Sequence, residues 1–268
     1  MNRIASRFEH VRRARRKALI PYITAGDPRP ESTVPMLHTL VESGADLIEL
    51  GVPFSDPMAD GPVIQKACER ALRHGMSLRG VLELVREFRR TDNETPLVLM
   101  GYLNPIESFG YENFVAGASE AGVDGVLTVD LPPEEAAELA EPLIAAGIDP
   151  IFLLAPTSSA ERIRQTVPLA RGYLYYVSLK GVTGSAIINV AEVAEKIAEI
   201  RALTDLPLGV GFGIKDPATA AAIAQVADAV VVGSALVSKM AELADDPETM
   251  HREVGGMIAA MRQAMVKS

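Results

Sequence analysis

Two carboxylates stand out in this sequence: Glu49, near the end of the apolar run Asp46-Leu47-Ile48-Glu49-Leu50-Gly51, and Asp60, which ends the following segment VPFSDPMAD. A glutamate at the end of an apolar strand is partly withdrawn from water. Desolvation raises such a carboxyl from its ordinary pKa of ~4.3 toward neutrality, where it both takes and gives protons. The pair therefore reads as an acid–base site. A structural alternative stays open, in which Glu49 pairs with a cation and Asp60 caps the helix that starts at Pro62, since an acid followed closely by proline is a common helix start. Asp56, between them, suits a turn or an interface.

A second set of residues suits a phosphate. Gly181, Thr183 and Gly184, then Gly211-Phe212-Gly213, then Gly233-Ser234 each lie just past an apolar run. Glycines let the backbone approach an anion closely, and Ser234 opens a helix pattern whose first amides and dipole favour phosphate. Tight turns without a ligand are the alternative. Lys180 is placed to form a Schiff base with a carbonyl substrate, although a Gly-rich loop does little to depress an amine pKa. No metal is expected, because none of His10, His38, His74 and His251 has ligand spacing to another; Asp56 and Asp60 are the remaining acids for a cation.

Positioning these groups requires a scaffold that brings many strand ends together. Short apolar runs predict strands at Ala18–Thr24, Asp46–Gly51, Leu97–Tyr102, Gly125–Val129, Pro150–Leu154, Tyr173–Val177, Leu208–Val210 and Ala229–Gly233. Their average spacing of about thirty residues fits a strand plus a crossover helix. The fold class expected is an α/β (β/α)8 TIM barrel with an extra N-terminal helix, one domain over 1–268, close to the roughly 250 residues usual for that architecture. In such a barrel the active site lies at the C-terminal ends of the strands, and the loops after strands seven and eight are a recurrent phosphate site. A doubly wound open sheet competes, but the first turn reads AGDP rather than Gly-rich.

A weak repeat supports the alternation: SGADLIEL, AGVDGVLTV, AGIDPIFLL and VADAVVVG each put a small residue and then an acid, Asp46, Asp124, Asp149 or Asp228, ahead of a strand. The glycines read as left-handed helix ends and the acids as exposed turns at the barrel's lower face. Ile4, Phe8 and Val11 mark one face of the N-terminal helix, and the basic run from Arg12 to Lys17 reads as its solvated end. A last helix around His251–Val266 carries a stripe of Val254, Met257, Ile258, Met261 and Met265 that suits packing.

Composition narrows the function classes. With 48% hydrophobic and 23% charged residues the chain has material for a sizeable core. A net charge of -9 argues against nucleic acid or an anionic membrane as partner, so a phosphate must be met locally. The single cysteine, Cys68, allows no intramolecular disulfide and fits packing in a reducing compartment. No apolar run approaches the ~20 residues of a membrane span and no secretory h-region opens the chain, so the expected localisation is cytoplasmic.

The segment from Glu49 to Pro62, ELGVPFSDPMADGP, resembles the signature of the tryptophan synthase alpha chain family. PYITAGDP at 21–28, GY at 101–102, NP at 104–105, SLKGVTG at 178–184, GVGFGI at 209–214 and VVGSA at 231–235 are similar to that family too, over essentially the whole chain. The resemblance implies a lyase of tryptophan biosynthesis that cleaves indole-3-glycerol phosphate by a retro-aldol step to indole and glyceraldehyde 3-phosphate, with no cofactor in this chain. It implies Glu49 as proton shuttle, Asp60 as partner of the indole N–H, and Tyr175 close to the reacting side chain. Tyr22, Ile64, Met100, Tyr102, Leu127 and Phe212 would wall the indole. Thr183, Gly184, Gly213, Ile214, Gly233 and Ser234 would surround the phosphate, with the loop of Thr183 closing against Asp60. It further implies an α2β2 assembly with a beta chain that carries pyridoxal phosphate, met through Pro53, Asp56, Pro57 and the Asn104-Pro105 loop. Tyr22 stands where the family often has Phe, and Leu179-Lys180 lies in a loop that can carry Arg. Two other readings remain at this point: another phosphate-binding barrel enzyme, such as a Schiff-base aldolase using Lys180, and a barrel kept only to bind a partner.

Overall fold

Runs of aliphatic and β-branched residues, too short for helices and bounded by Gly, Pro or Asp, become the strands β1 (Ala18–Thr24), β2 (Ile48–Gly51), β3 (Leu97–Gly101), β4 (Gly125–Thr128), β5 (Asp149–Leu154), β6 (Leu174–Val177), β7 (Leu208–Gly211) and β8 (Ala229–Val232). The computed structural model describes residues 2–178, 189–211 and 213–266. All eight strands pair in parallel and close in chain order, with β8 returning to β1 through Ala18↔Ala229 to Pro21↔Val232. Helices α1 (Arg3–Arg13), α2 (Thr33–Glu42), α3 (Pro62–Arg73), α4 (Leu78–Arg89), α5 (Leu103–Phe109), α6 (Tyr111–Ala121), α7 (Ala137–Ala145), α8 (Ala160–Thr166), α9 (Val190–Arg201), α10 (Pro217–Ala224), α11 (Ser234–Glu242) and α12 (Pro247–Val266) accompany them. The expected (β/α)8 barrel is the observed architecture.

Period-two alternation sorts each strand's side chains between two cores. Leu19, Ile23, Ile48, Leu50, Leu174 and Tyr176 join the cluster between barrel and helices. Ile20, Tyr22, Val98, Met100, Leu127, Tyr173 and Tyr175 fill the barrel itself. Helix α1 is the extra element, and its apolar face of Ile4, Phe8 and Val11 is buried in the interior cluster, with Phe8 5.8 Å from Tyr173 between ring centroids. The left-handed glycines are present as expected at Gly44, Gly122 and Gly147, with φ of 106°, 86° and 78°. In α12, Val254, Ile258, Met261 and Met265 are buried and Met257 is partly so.

The acids ahead of the strands are not exposed turns. Asp46, Asp124 and Asp149 are buried, and Asp46, Asp124 and Asp228 each accept the amide of the first or second residue of the preceding strand: Leu19 N at 2.9 Å, Leu97 N at 2.9 Å and Leu208 N at 3.0 Å. Each also meets two cations. Asp46 pairs with Arg16 and Arg262, Asp124 with Arg3 and Arg89, and Asp228 with Arg201 and, at 3.8 Å, Lys17. A buried strand-end amide needs an acceptor, a buried carboxylate needs a cation, and the same motif meets both needs at β2, β4 and β8. The basic run is accordingly split: Arg12 and Arg13 are solvated and pair with Glu9, whereas Arg16 and Lys17 serve these acids.

Candidate active site

Glu49 lies in the middle of β2, in register with Tyr22 of β1 and Val98 of β3. Its neighbours Ile48 and Leu50 face the helices, so parity turns Glu49 into the barrel, where it is fully buried. Tyr173 donates its hydroxyl to Glu49 Oε1 at 2.6 Å. Glu49 Oε2 has no hydrogen-bond partner and is alone in this among the buried side-chain oxygens and nitrogens of the described residues. Burial drives the carboxyl up to about 7, against the lowering effect of the Tyr173 bond. Among the described residues no cation pairs with Glu49.

Asp60 ends the loop after β2. The cap position of α3 is taken by Gly61 and makes no side-chain bond, so Asp60 is not the helix cap. Its Oδ2 instead accepts the Tyr102 hydroxyl at 2.9 Å, and Gln65 Nε2 holds its main-chain carbonyl at 2.9 Å. Burial pushes the Asp60 carboxyl up, and the bond from Tyr102 works in the opposite direction. Each carboxylate thus accepts one phenol hydroxyl, but Glu49 is fully buried with its second oxygen unpartnered among the described residues, whereas Asp60 is half-buried on the loop after β2.

The remaining residues fall into place around them. Tyr22, Ile64, Met100 and Leu127 are buried in the same interior cluster as Tyr175, and Tyr102 is buried against Phe54, ring centroids 5.3 Å apart. Two glycines make this layer possible: a Cβ at Gly51 would stand 2.1 Å from Tyr22 Oη, and one at Gly211 would stand 1.9 Å from Tyr175 Oη. Gly233 precedes α11, whose first turn has no side-chain cap, and Ser234 is exposed at its start. Gly213 is exposed with φ +77°, whereas Ile214 is buried between barrel and helices. Thr183, Gly184, Lys180 and Phe212 lie outside the described residues. On the loop after β2, Pro53 is buried, Pro57 half-buried and Asp56 exposed; Asn104, exposed, and Pro105, half-buried, lie in the first turn of α5 and not on a loop.

A model of the tryptophan synthase alpha chain family matches residues 8–266. The chain belongs to that family. The tryptophan synthase alpha chain of Thioalkalivibrio sulfidiphilus is 64% identical over 265 residues, covering 99% of this chain and 100% of the relative. That of Methylococcus capsulatus is 63% identical, covering 99% of both chains. Among solved structures, tryptophan synthase subunit alpha from Legionella pneumophila superposes with a TM-score of 0.92 at 49% identity, over 100% of both chains.

Two tyrosines take roles here that the sequence does not assign to them. Tyr173 opens the run that predicts strand six, and only the pairing across the barrel reveals that it hydrogen-bonds Glu49. Its one sequence signal is its parity with Tyr175. Tyr102, a pocket wall by resemblance, is also the partner of Asp60.

Proposed function

We propose a residue-level account of the family's reaction in this chain. The chain is the alpha subunit of tryptophan synthase, a lyase of tryptophan biosynthesis that cleaves indole-3-glycerol phosphate to indole and glyceraldehyde 3-phosphate. The C–C bond breaks when indole C3 gains a proton and the side-chain hydroxyl next to it loses one; the electron pair of the broken bond is returned to the ring. Glu49 moves both protons. The observation that carries this role is its buried Oε2, without a partner among the described residues, on a carboxyl held at about 7, a group that is protonated and ionised in comparable amounts at neutral pH. Asp60 accepts the indole N–H and stabilises the positive charge that C3 protonation places on the ring. Tyr22, Ile64, Met100 and Leu127, with Tyr175 beside them, supply the apolar interior that an indole requires.

The phosphate is bound where Gly233 and Ser234 begin α11, helped by Gly213, with Thr183 and Gly184, outside the described residues, as its further partners. The uncapped first turn of α11 supports this assignment, since its amides have no side-chain acceptor of their own. Family membership implies a beta-chain partner. We take the assembly to be α2β2 with pyridoxal phosphate in the beta chain, docked on the loop of exposed Asp56 and half-buried Pro57, where Met58 is 84% exposed, and on exposed Asn104 at the start of α5. The chain acts in the cytoplasm, consistent with its one buried, unpaired thiol, Cys68.

Purified chain supplied with indole-3-glycerol phosphate should release indole, followed by absorbance, and Glu49→Gln should lower turnover at least ~100-fold with substrate binding retained. Wild-type turnover by that variant would remove Glu49 from the mechanism.

A further inference from the structure

Resting on the reading of Asp60 as a catalytic residue, we infer that Tyr102 is a positioning residue that acts on the reaction through Asp60, with Gln65 fixing the backbone of the same residue. Tyr102 Oη makes two bonds on this loop: it accepts the Ala59 amide at 3.0 Å and meets Asp60 Oδ2 at 2.9 Å. An amide only donates, so the phenol oxygen accepts there, and its single proton goes to the carboxylate. The hydrogen bond is therefore polarised in one direction and favours the ionised form of Asp60. That is the form an indole N–H needs as acceptor.

The rest of the loop is held by short-range bonds, Ser55 Oγ to Asp56 Oδ2 among them, and by Phe54 against the Tyr102 ring. Its own turn bonds are Met58 N to Asp56 O at 2.8 Å and Asp60 N to Pro57 O at 3.0 Å, while Gln65 on α3 secures the Asp60 carbonyl. Tyr102 itself is only 4% exposed, and the amide of the next residue, Leu103, is fixed by Asp130 Oδ1 at 2.8 Å from the end of β4. A rigid phenol anchored on β3 and β4 thus sets where a carboxylate on the β2 loop points. A pocket wall would need the ring alone; the two bonds need the hydroxyl.

Tyr102→Phe separates the two, because it keeps the ring. It should lower kcat about 10- to 100-fold, the loss typical of one hydrogen bond to a charged group, and leave KM for indole-3-glycerol phosphate within about 2-fold. The acidic limb of kcat/KM should move to higher pH. In spectra of protein with 13C-labelled aspartate carboxyls, assigned by the signal missing in Asp60→Asn, the Asp60 midpoint should rise. Gln65→Ala should lower kcat without moving that midpoint, and carries the test of Asp60 positioning if near-UV dichroism shows Tyr102→Phe unfolded. Normal kcat in a folded Tyr102→Phe, a raised KM alone, or an unmoved midpoint overturns the inference. Should Asp60→Asn itself turn over normally, the role of Asp60 fails instead, whatever Tyr102→Phe does.

Discussion

Replacing Glu49 by Gln should remove activity while raising stability above neutral pH, and the size of the gain follows from where the carboxyl sits. Glu49 is fully buried, with one oxygen bonded to Tyr173 and the other unpartnered, and burial lifts it from an ordinary 4.5 to about 7. Because the folded-state pKa lies above the unfolded one, folding favours the protonated form. The full stability is present below pH 4.5 and is lost as pH rises through 7. At about 1.4 kcal/mol per pH unit, the ionised group costs the folded chain about 3 kcal/mol at pH 8 relative to pH 4. The carboxamide of Glu49→Gln does not titrate. Its oxygen accepts the Tyr173 hydroxyl while its NH2 stays unpartnered, much as the acid proton of neutral Glu49 does, so the two proteins should be similar at low pH and diverge as pH rises. Urea midpoints of wild type and Glu49→Gln between pH 5 and 8.5 read this directly, and the variant should gain on wild type up to about pH 7 and hold that lead above it. Parallel pH profiles would refute the assignment of a raised pKa to Glu49, and with it the reason it can shuttle protons near neutrality.

Tyr173→Phe removes the bond that lowers the Glu49 pKa, so the Glu49 limb of the kcat/KM profile should move to higher pH with a modest loss of turnover; an unmoved limb counts against the contact. Gly233→Asp should weaken binding of glycerol 3-phosphate, measured by calorimetry, because a carboxylate would meet the phosphate at the start of α11, while a Cβ there finds only ordinary contacts with Tyr22 at 3.4 Å and the fold survives. Arg89→Met should cost about 3–5 kcal/mol in urea unfolding at pH 7, since it leaves buried Asp124 short of a cation and frees the carbonyls of Gly122 and Thr95 that Arg89 now holds.

The parts of this molecule that were legible in its sequence are those fixed by collective burial. Any run of four to seven apolar residues between turn formers finds a place in a parallel barrel, and its exact neighbours matter little, which is why the eight strands fall within two residues of their sequence positions. Glu49 was visible for the same reason, as a charge in a run that otherwise demands none. Polar pairing obeys a different rule, because one donor needs one acceptor at one distance and that partner can lie anywhere in the chain. Asp60 followed by Gly61-Pro62 has the local look of a helix cap, yet a phenol 42 residues away takes the carboxylate. Asp46 has the look of an exposed turn, yet Arg262 comes back 216 residues later to neutralise it. The Tyr173 bond to Glu49 spans 124 residues and depends on the closure of the whole barrel. Local rules fail at these places because tertiary partners outcompete them, and in each case the structure supplies the missing partner. Glu49 Oε2 is the exception. It breaks the local rule and finds no partner among the described residues, and a buried polar atom kept at that cost is best explained by a substrate that completes its hydrogen bonding during the reaction.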